Sequence, residues 1–187
     1  HRHVQPDAPG AGVGPYAVEI AKHANPSRVV AIEWNPQAIP FLEENVWRNK
    51  VNSIVVPMRG DVNELPPIPE FDHVVMPAPE SAMEYVSRAA QWISPRGGRI
   101  HLYTFILRDE EKELREELAL RLHAISRSWK IVFIRKVSDF SASKIQVCVG
   151  IQLGKTKKSR KTKSSGKNTR GKKSRVKKKK AIRRKRV

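Results

Sequence analysis

Four short apolar runs, separated by stretches with helical periodicity, constrain the fold more than any other feature. They are Arg28–Glu33 (RVVAIE), Ser53–Met58 (SIVVPM), Phe71–Met76 (FDHVVM) and Arg99–Phe105 (RIHLYTF). Runs this apolar suit strands covered on both faces, as in a parallel sheet. The intervening segments supply the covers. Ala17, Ile20, Ala21 and Ala24 share a face after Pro15, a residue suited to the first helical turn. Asn35-Pro36 predicts an N-cap followed by Pro at the first helical position, with Ile39, Leu42 and Val46 on the buried side. Ala82, Val86, Ala89 and Ile93 form a third stripe, stopped by Pro95 and Gly97-Gly98. Leu114, Leu118, Leu122 and Ile125 form a fourth. It is acidic at its start (Asp109, Glu110, Glu111) and basic toward its end (Arg121, His123, Arg127), as the helix dipole favours.

The pattern then changes. Lys130–Val137 and Lys144–Leu153 are both β-rich, and the about six residues around Ser138–Ser143 are too few for a crossover helix. The two runs therefore predict an antiparallel hairpin. With His1–Pro6 as a short, polar first strand, the order gives an open α/β sheet, mostly parallel, with an antiparallel strand at one end.

Charge divides the chain in two. Of 187 residues, 37 are Lys or Arg and 18 are Asp or Glu, but 19 of the bases and none of the acids lie in 155–187. Residues 1–154 are formally neutral and predict one globular domain; 155–187 predict a disordered polycation, with too little apolar surface to offset the entropy of ordering. A uniformly basic nucleic-acid module is excluded. No apolar run reaches the ~20 residues of a membrane span, so no membrane role is expected. One Cys cannot form an internal disulfide, and Cys148, in an alternating apolar run, reads as buried filler in a reducing compartment. The six His residues show no metal-ligand spacing, so no metal is expected.

Three motifs carry chemistry. Asp7-Ala-Pro-Gly10-Ala-Gly12-Val-Gly14-Pro15-Tyr16 precedes the first helix, where glycines permit tight turns and the helix start offers free N–H groups. Its glycines fall as G-x-G-x-G rather than G-x-G-x-x-G, which favours a nucleoside–amino acid pocket of the methyltransferase kind over a pyrophosphate site. A merely structural glycine turn is the alternative. Glu33 ends the second run 19 residues beyond Gly14, where an acid can accept both hydroxyls of a ribose. Arg59-Gly60-Asp61-Val62 follows the third run; its acid could meet an adenine amino group and Val62 could pack against the ring. His101 and Tyr103 share one strand face and suit packing better than substrate contact. Trp34 is placed to flank a cofactor ring, whereas Trp47, Trp92 and Trp129 read as core or core-edge residues.

Gly12-Val-Gly-Pro-Tyr16, Glu33-Trp-Asn-Pro36, Gly60-Asp61-Val62, His73-Val-Val-Met76 and His101-Leu-Tyr103 together resemble a known family. It is the tRNA (guanine-N1-)-methyltransferases of the archaeal and eukaryotic type, with the related wybutosine-synthesis aminocarboxypropyl transferase. The resemblance covers about residues 7–153, and Ser138–Lys144 resembles the family's closing hairpin. It implies a Rossmann-like class I methyltransferase sheet of seven strands, the last hairpin inserted antiparallel. It also implies S-adenosylmethionine as cofactor, tRNA as partner, and methyl transfer to guanine N1 beside the anticodon in the cytoplasm. By the resemblance, Gly10, Gly12, Gly14, Glu33, Trp34, Asp61, Val62 and Pro77 would lie at the cofactor.

Two departures accompany it, one after the fourth strand and one at the start of the chain. The family's fourth-strand motif carries an Asn where this chain reads Met76-Pro77-Ala78-Pro79, and Pro77 offers neither a side-chain amide nor an N–H. The glycine loop is one residue longer than the family's. The chain starts at His1, without the upstream tRNA-binding module and basic and acidic side chains that the family has, so a missing N-terminal part or a partner chain is expected to supply them. Aminocarboxypropyl transfer and a non-catalytic RNA-binding remnant stand as alternatives, and no residue is singled out as the general base. In the tail, Lys177, Lys178, Lys179, Lys180, Arg183 and Arg184 are expected to bind RNA phosphates by counterion release, or to serve as a nuclear address.

Overall fold

The computed structural model describes residues 3–6 and 10–156. The tail cations singled out above lie outside them. The chain runs β1 (His3–Pro6), α1 (Pro15–His23), β2 (Arg28–Glu33), α2 (Ile39–Arg48), β3 (Val55–Arg59), β4 (His73–Met76), α3 (Ala82–Trp92), β5 (Gly98–Leu107), α4 (Glu111–Leu122), β6 (Trp129–Asp139) and β7 (Lys144–Leu153). The strands form one sheet in the order β3-β2-β1-β4-β5-β7-β6. β1 pairs in parallel with both β2 and β4, so strand order reverses there and opens a crevice beyond the strands' carboxyl ends.

Alternation along β2 builds both layers. Val29 and Ala31 pack with Ala17, Val18 and Ala21 of α1 and Leu42 and Val46 of α2. Val30 and Ile32 belong to the opposite core, with Val86 and Trp92 of α3 and Leu114, Leu118 and Leu122 of α4. A strand apolar on both faces can only be interior, which is why β2 reads as an unbroken run.

The hairpin is antiparallel as expected, but the antiparallel strand is not at the end of the sheet. β7 lies between β5 and β6, pairing with Leu107 through Lys144 at one end and with Gly98 through Leu153 at the other. Polarity decides which arm goes inside. β7 buries Ile145, Val147, Cys148, Val149, Ile151 and Leu153, whereas β6 carries Lys130, Arg135, Lys136 and Asp139 and is half-buried to exposed throughout. A charged strand makes a tolerable edge and a poor interior.

α2 also differs from expectation. The Gln37 N–H does donate to Asn35 Oδ1 (3.0 Å), the bond expected of a cap. Only a turn follows, because Pro40 has no N–H to continue the ladder, and the regular helix begins at Ile39. Trp47 is 73% exposed rather than core: one residue beyond Val46, it is rotated about 100° off the buried face. Among the described residues, no helix is long and apolar enough to cross a membrane.

Candidate cofactor site at the carboxyl edge of the sheet

Three chain segments meet beyond the end of β2. The glycine loop crosses it, the Ala11 N–H donating to Ile32 O (2.7 Å). From the other side the Gly60 N–H donates to Glu33 O (2.9 Å), drawing the β3–β4 connection over the same edge. Between them lies a cavity of about 350 Å³ lined by Gly10, Ile32, Trp34, Gly60, Asp61, Val62 and Tyr85. Predicted residues Gly10, Trp34, Asp61 and Val62 are thus brought together on one wall system.

Glu33 takes a different place. It is 3% exposed, and it grips backbone: the Gly12 N–H donates to Oε2 and the Asn35 N–H to Oε1, both at 2.6 Å. The carboxylate therefore locks the glycine loop to the end of β2 directly behind the cavity. Charge-assisted bonds of this kind are short and strong. The fit is close at Gly10, whose φ is +133°, and where a Cβ would collide with Glu33 Oε2. Here the glycine is required twice, by its backbone conformation and by the carboxylate beside it. Gly12 and Gly14 also adopt positive φ; Gly14 caps α1 and hands the chain to Pro15 in its first turn. Pro77 lies in the loop after β4, half-buried, with the Ala78 carbonyl accepting from Ser81 and Ala82 to start α3.

The opposite wall is fixed from α3. Asp61 is exposed, and its Oδ1 accepts from the Asn63 N–H (2.7 Å), while its carbonyl accepts from Glu64 and Leu65. The Arg88 guanidinium then ties this turn down, donating to the carbonyls of Val62 (3.2 Å), Asn63 (3.1 Å) and Leu65 (2.6 Å). Tyr85 stands one turn earlier on the same helix and lines the cavity. Neither Tyr85 nor Arg88 is legible in the motifs. Their only sequence signal is a polar pair three residues apart on the border of an apolar stripe.

A second cavity, of about 300 Å³, lies under α1 against the face of β4 and β5, lined by Tyr16, Ile20, Ala24, Pro26, His73, Val75, His101 and Tyr103. His73 Nδ1 and His101 Nε2 are 3.0 Å apart. Burial, with His73 and then Arg99 adding, lowers the His101 pKa to about 4. Burial likewise holds the Tyr103 phenol and the Cys148 thiol neutral, raising both. Tyr16, Val75 and Tyr103 belong to the α1 face of the sheet, whereas Ile32 and Val62 of the glycine loop's cavity belong to the α3 face.

A model of the TRM5/TYW2 methyltransferase domain matches residues 10–132. The chain is 43% identical over 95 residues to the tRNA (guanine(37)-N(1))-methyltransferase Trm5b of Pyrococcus abyssi, covering 51% of this chain and 27% of that protein. It is 28% identical over 135 residues to the tRNA(Phe) (4-demethylwyosine(37)-C(7)) aminocarboxypropyltransferase of Methanocaldococcus jannaschii, covering 70% and 52% respectively. It thus spans about a quarter to a half of the length of these relatives. The crystal structure of M. jannaschii TYW2 in complex with AdoMet superposes with a TM-score of 0.74, covering 83% of this chain and 69% of that one. At 23% identity that likeness is one of fold, a class I methyltransferase sheet.

Proposed function

The chain belongs to the TRM5/TYW2 methyltransferase family, and from that premise we propose that its body binds S-adenosylmethionine and serves methyl transfer to N1 of a guanine beside the anticodon of tRNA. The observation that carries this reading is the cavity at the carboxyl edge, walled by Trp34, Gly60, Asp61, Val62 and Tyr85 beside the reversal of strand order. Its size lies within the range of small-molecule pockets, roughly 300–1,000 Å³, and its walls are the apolar and aromatic kind that a purine ring needs.

In this reading Val62, Ile32 and Tyr85 cover the adenine, Trp34 closes its outer side and Asp61 accepts from its amino group. Glu33 stays behind the cavity, with one oxygen on the Gly12 N–H and the other on the Asn35 N–H, so in this reading it serves the ribose by holding the glycine loop in place. Gly10 leaves the backbone bare where the nucleoside passes, and Gly12 and Gly14 aim the loop and the start of α1 toward the amino acid end. Pro77, which follows β4 and does not line this cavity, would meet the methyl-bearing end of the cofactor where the family has its Asn. S-adenosylmethionine, held by Gly10, Trp34, Asp61 and Val62, would supply an electrophilic methyl group on a sulfonium whose leaving group is a neutral thioether, the ring proton passing to solvent or to a base outside this set. The protein's contribution is positioning: a fixed cofactor and a fixed purine convert an encounter into a near-unimolecular step. The setting is cytoplasmic, with the cations of 177–186 as tether to RNA.

The test is product analysis. The chain, incubated with S-adenosylmethionine and unmodified tRNA, should yield N1-methylguanosine after nuclease digestion. An added mass equal to an aminocarboxypropyl group would instead assign the related reaction. Pro77 favours a second reading, a non-catalytic RNA-binding remnant, since no amide stands at the family's Asn position. Pro77→Asn discriminates: an inactive chain gaining methyl transfer on this change is a remnant disabled at that position.

A further inference from the structure

The turn between β6 and β7 lies on the same edge of the sheet as the cavity, because Lys144 pairs with Leu107 at the carboxyl end of β5. We propose that this hairpin tip is a stacking platform for an unpaired base of the RNA substrate, with Phe140 as the stacking ring and Lys144, Lys136 and Arg108 around it for the phosphates. The inference rests on the RNA-substrate reading above and adds the surface that receives the strand.

The tip is built. Phe140 is 61% exposed yet backed by Phe105, with ring centroids 4.5 Å apart, and Lys144 Nζ lies 5.0 Å from the Phe105 ring and 5.5 Å from that of Phe140. Phe140 thus meets Phe105 at a 48° tilt and leaves most of its ring to solvent. The backbone beneath is fixed: the N–H groups of Phe140 and Ser141 both donate to Lys144 O at 2.9 Å, and Arg108 Nε donates to Ala142 O (2.8 Å). Arg108 and Lys136 both pair with Asp139, which holds that carboxyl below its usual range and leaves no uncompensated acid within the turn. An exposed aromatic held rigid among cations matches the pattern by which proteins grip single-stranded nucleic acid.

Charge points to the same occupant. β5, β6 and β7 carry five Lys or Arg (Arg99, Lys130, Arg135, Lys136 and Lys144) against the single acid Asp139, in a body whose first 154 residues are formally neutral. Arg99 and Lys130 lie at the Gly98 end of these strands, so the cations at the tip are Arg108, Lys136 and Lys144, with Asp139 between them and Asp109 and Glu110 following Arg108. Cations set beside the exposed ring favour a phosphate-bearing strand over an apolar protein segment. Stacking on Phe140 is sequence-tolerant, so the platform would hold a loop nucleotide next to the target and leave base choice to the cavity mouth.

The full chain with its tail can be tested directly, because the tail of 155–187 has no aromatic residue and cannot stack. A stem–loop RNA carrying 2-aminopurine in its loop reports stacking by loss of fluorescence, while anisotropy of an end label reports binding by any route. Wild type should quench the base at least twofold on saturation. Phe140→Ala should keep the anisotropy change and abolish the quench, and Phe140→Trp should restore it; at its exposure neither change threatens folding. Undiminished quenching in Phe140→Ala, or RNA bound by wild type with no quench, overturns the platform and assigns the face to another partner. No anisotropy change in wild type overturns the RNA reading itself, and the platform with it.

Discussion

Gly10 and Glu33 are coupled by a collision that the native sequence avoids, and the coupling has a size. In Gly10→Ala the new methyl group meets Glu33 Oε2, and the backbone stays at φ +133°, which L side chains rarely adopt. The backbone strain costs about 1–3 kcal/mol. Relieving the collision by moving the carboxylate loses at least one of its bonds to the Gly12 or Asn35 N–H, about 1.5–3 kcal/mol for a charged acceptor. The single variant should therefore lose about 2.5–6 kcal/mol. Glu33→Ala removes both bonds and leaves two donors near the end of β2, a loss of about 2–5 kcal/mol. In the double variant there is no carboxylate to strike, so the losses should fall short of their sum by about 1.5–3 kcal/mol. Urea unfolding of the four full-length chains, followed by far-UV circular dichroism, measures the cycle. Losses that add to within about 0.5 kcal/mol would refute the claim that the carboxylate is what Gly10 makes room for.

Arg88→Ala should leave three carbonyls of the 62–65 turn without their shared donor and weaken S-adenosylmethionine about 5- to 20-fold by calorimetry. Arg88→Lys should not rescue it, since an ammonium cannot fork across them. His101 should make stability depend on pH. Its folded pKa of about 4 lies below the unfolded 6.5, so the unfolded chain binds the proton first. Its contribution is complete above pH 6.5 and is lost as pH falls toward 4; from pH 7 to 5 the loss should be about 1–2 kcal/mol in urea unfolding and should flatten in His101→Gln. A chain ending after Thr156, whose N–H is still held by Pro95 O (3.0 Å), should fold as before. It should bind RNA less tightly, with a log–log salt slope reduced by roughly 3.5 if ~5 tail cations meet single-stranded phosphates. An equal slope would restrict the tail to another role.

The sequence disclosed those elements whose burial is dictated locally. β2 falls on Arg28–Glu33 as its apolar run predicts, and Leu114, Leu118 and Leu122 of α4 are all buried at their 4-residue spacing. The place of β7 was less legible, because a hairpin's two arms obey the same local rules. Only the comparison of Val147, Cys148 and Val149 with Arg135 and Lys136 tells which arm the sheet admits inside. At the site, the residues at strand ends were legible: Trp34, Asp61 and Val62 follow β2 and β3 and line the cavity. Glu33 was found, but its grip on the Gly12 and Asn35 N–H groups depends on a loop crossing that spacing does not encode. Tyr85 and Arg88 were missed for the same reason, since α3 comes to that wall through the packing of Val86 and Ala89 and not through any motif.

The central claim is that the pocket between the glycine loop and the Gly60–Val62 turn holds S-adenosylmethionine, and a calorimetric titration of the intact chain measures this without any RNA. Saturable heat at one site per chain is predicted. It should weaken about 5- to 50-fold in Trp34→Ala, a change that 60% exposure makes harmless to folding. Absence of heat in the wild-type chain, or the same affinity with and without the Trp34 ring, would contradict the account.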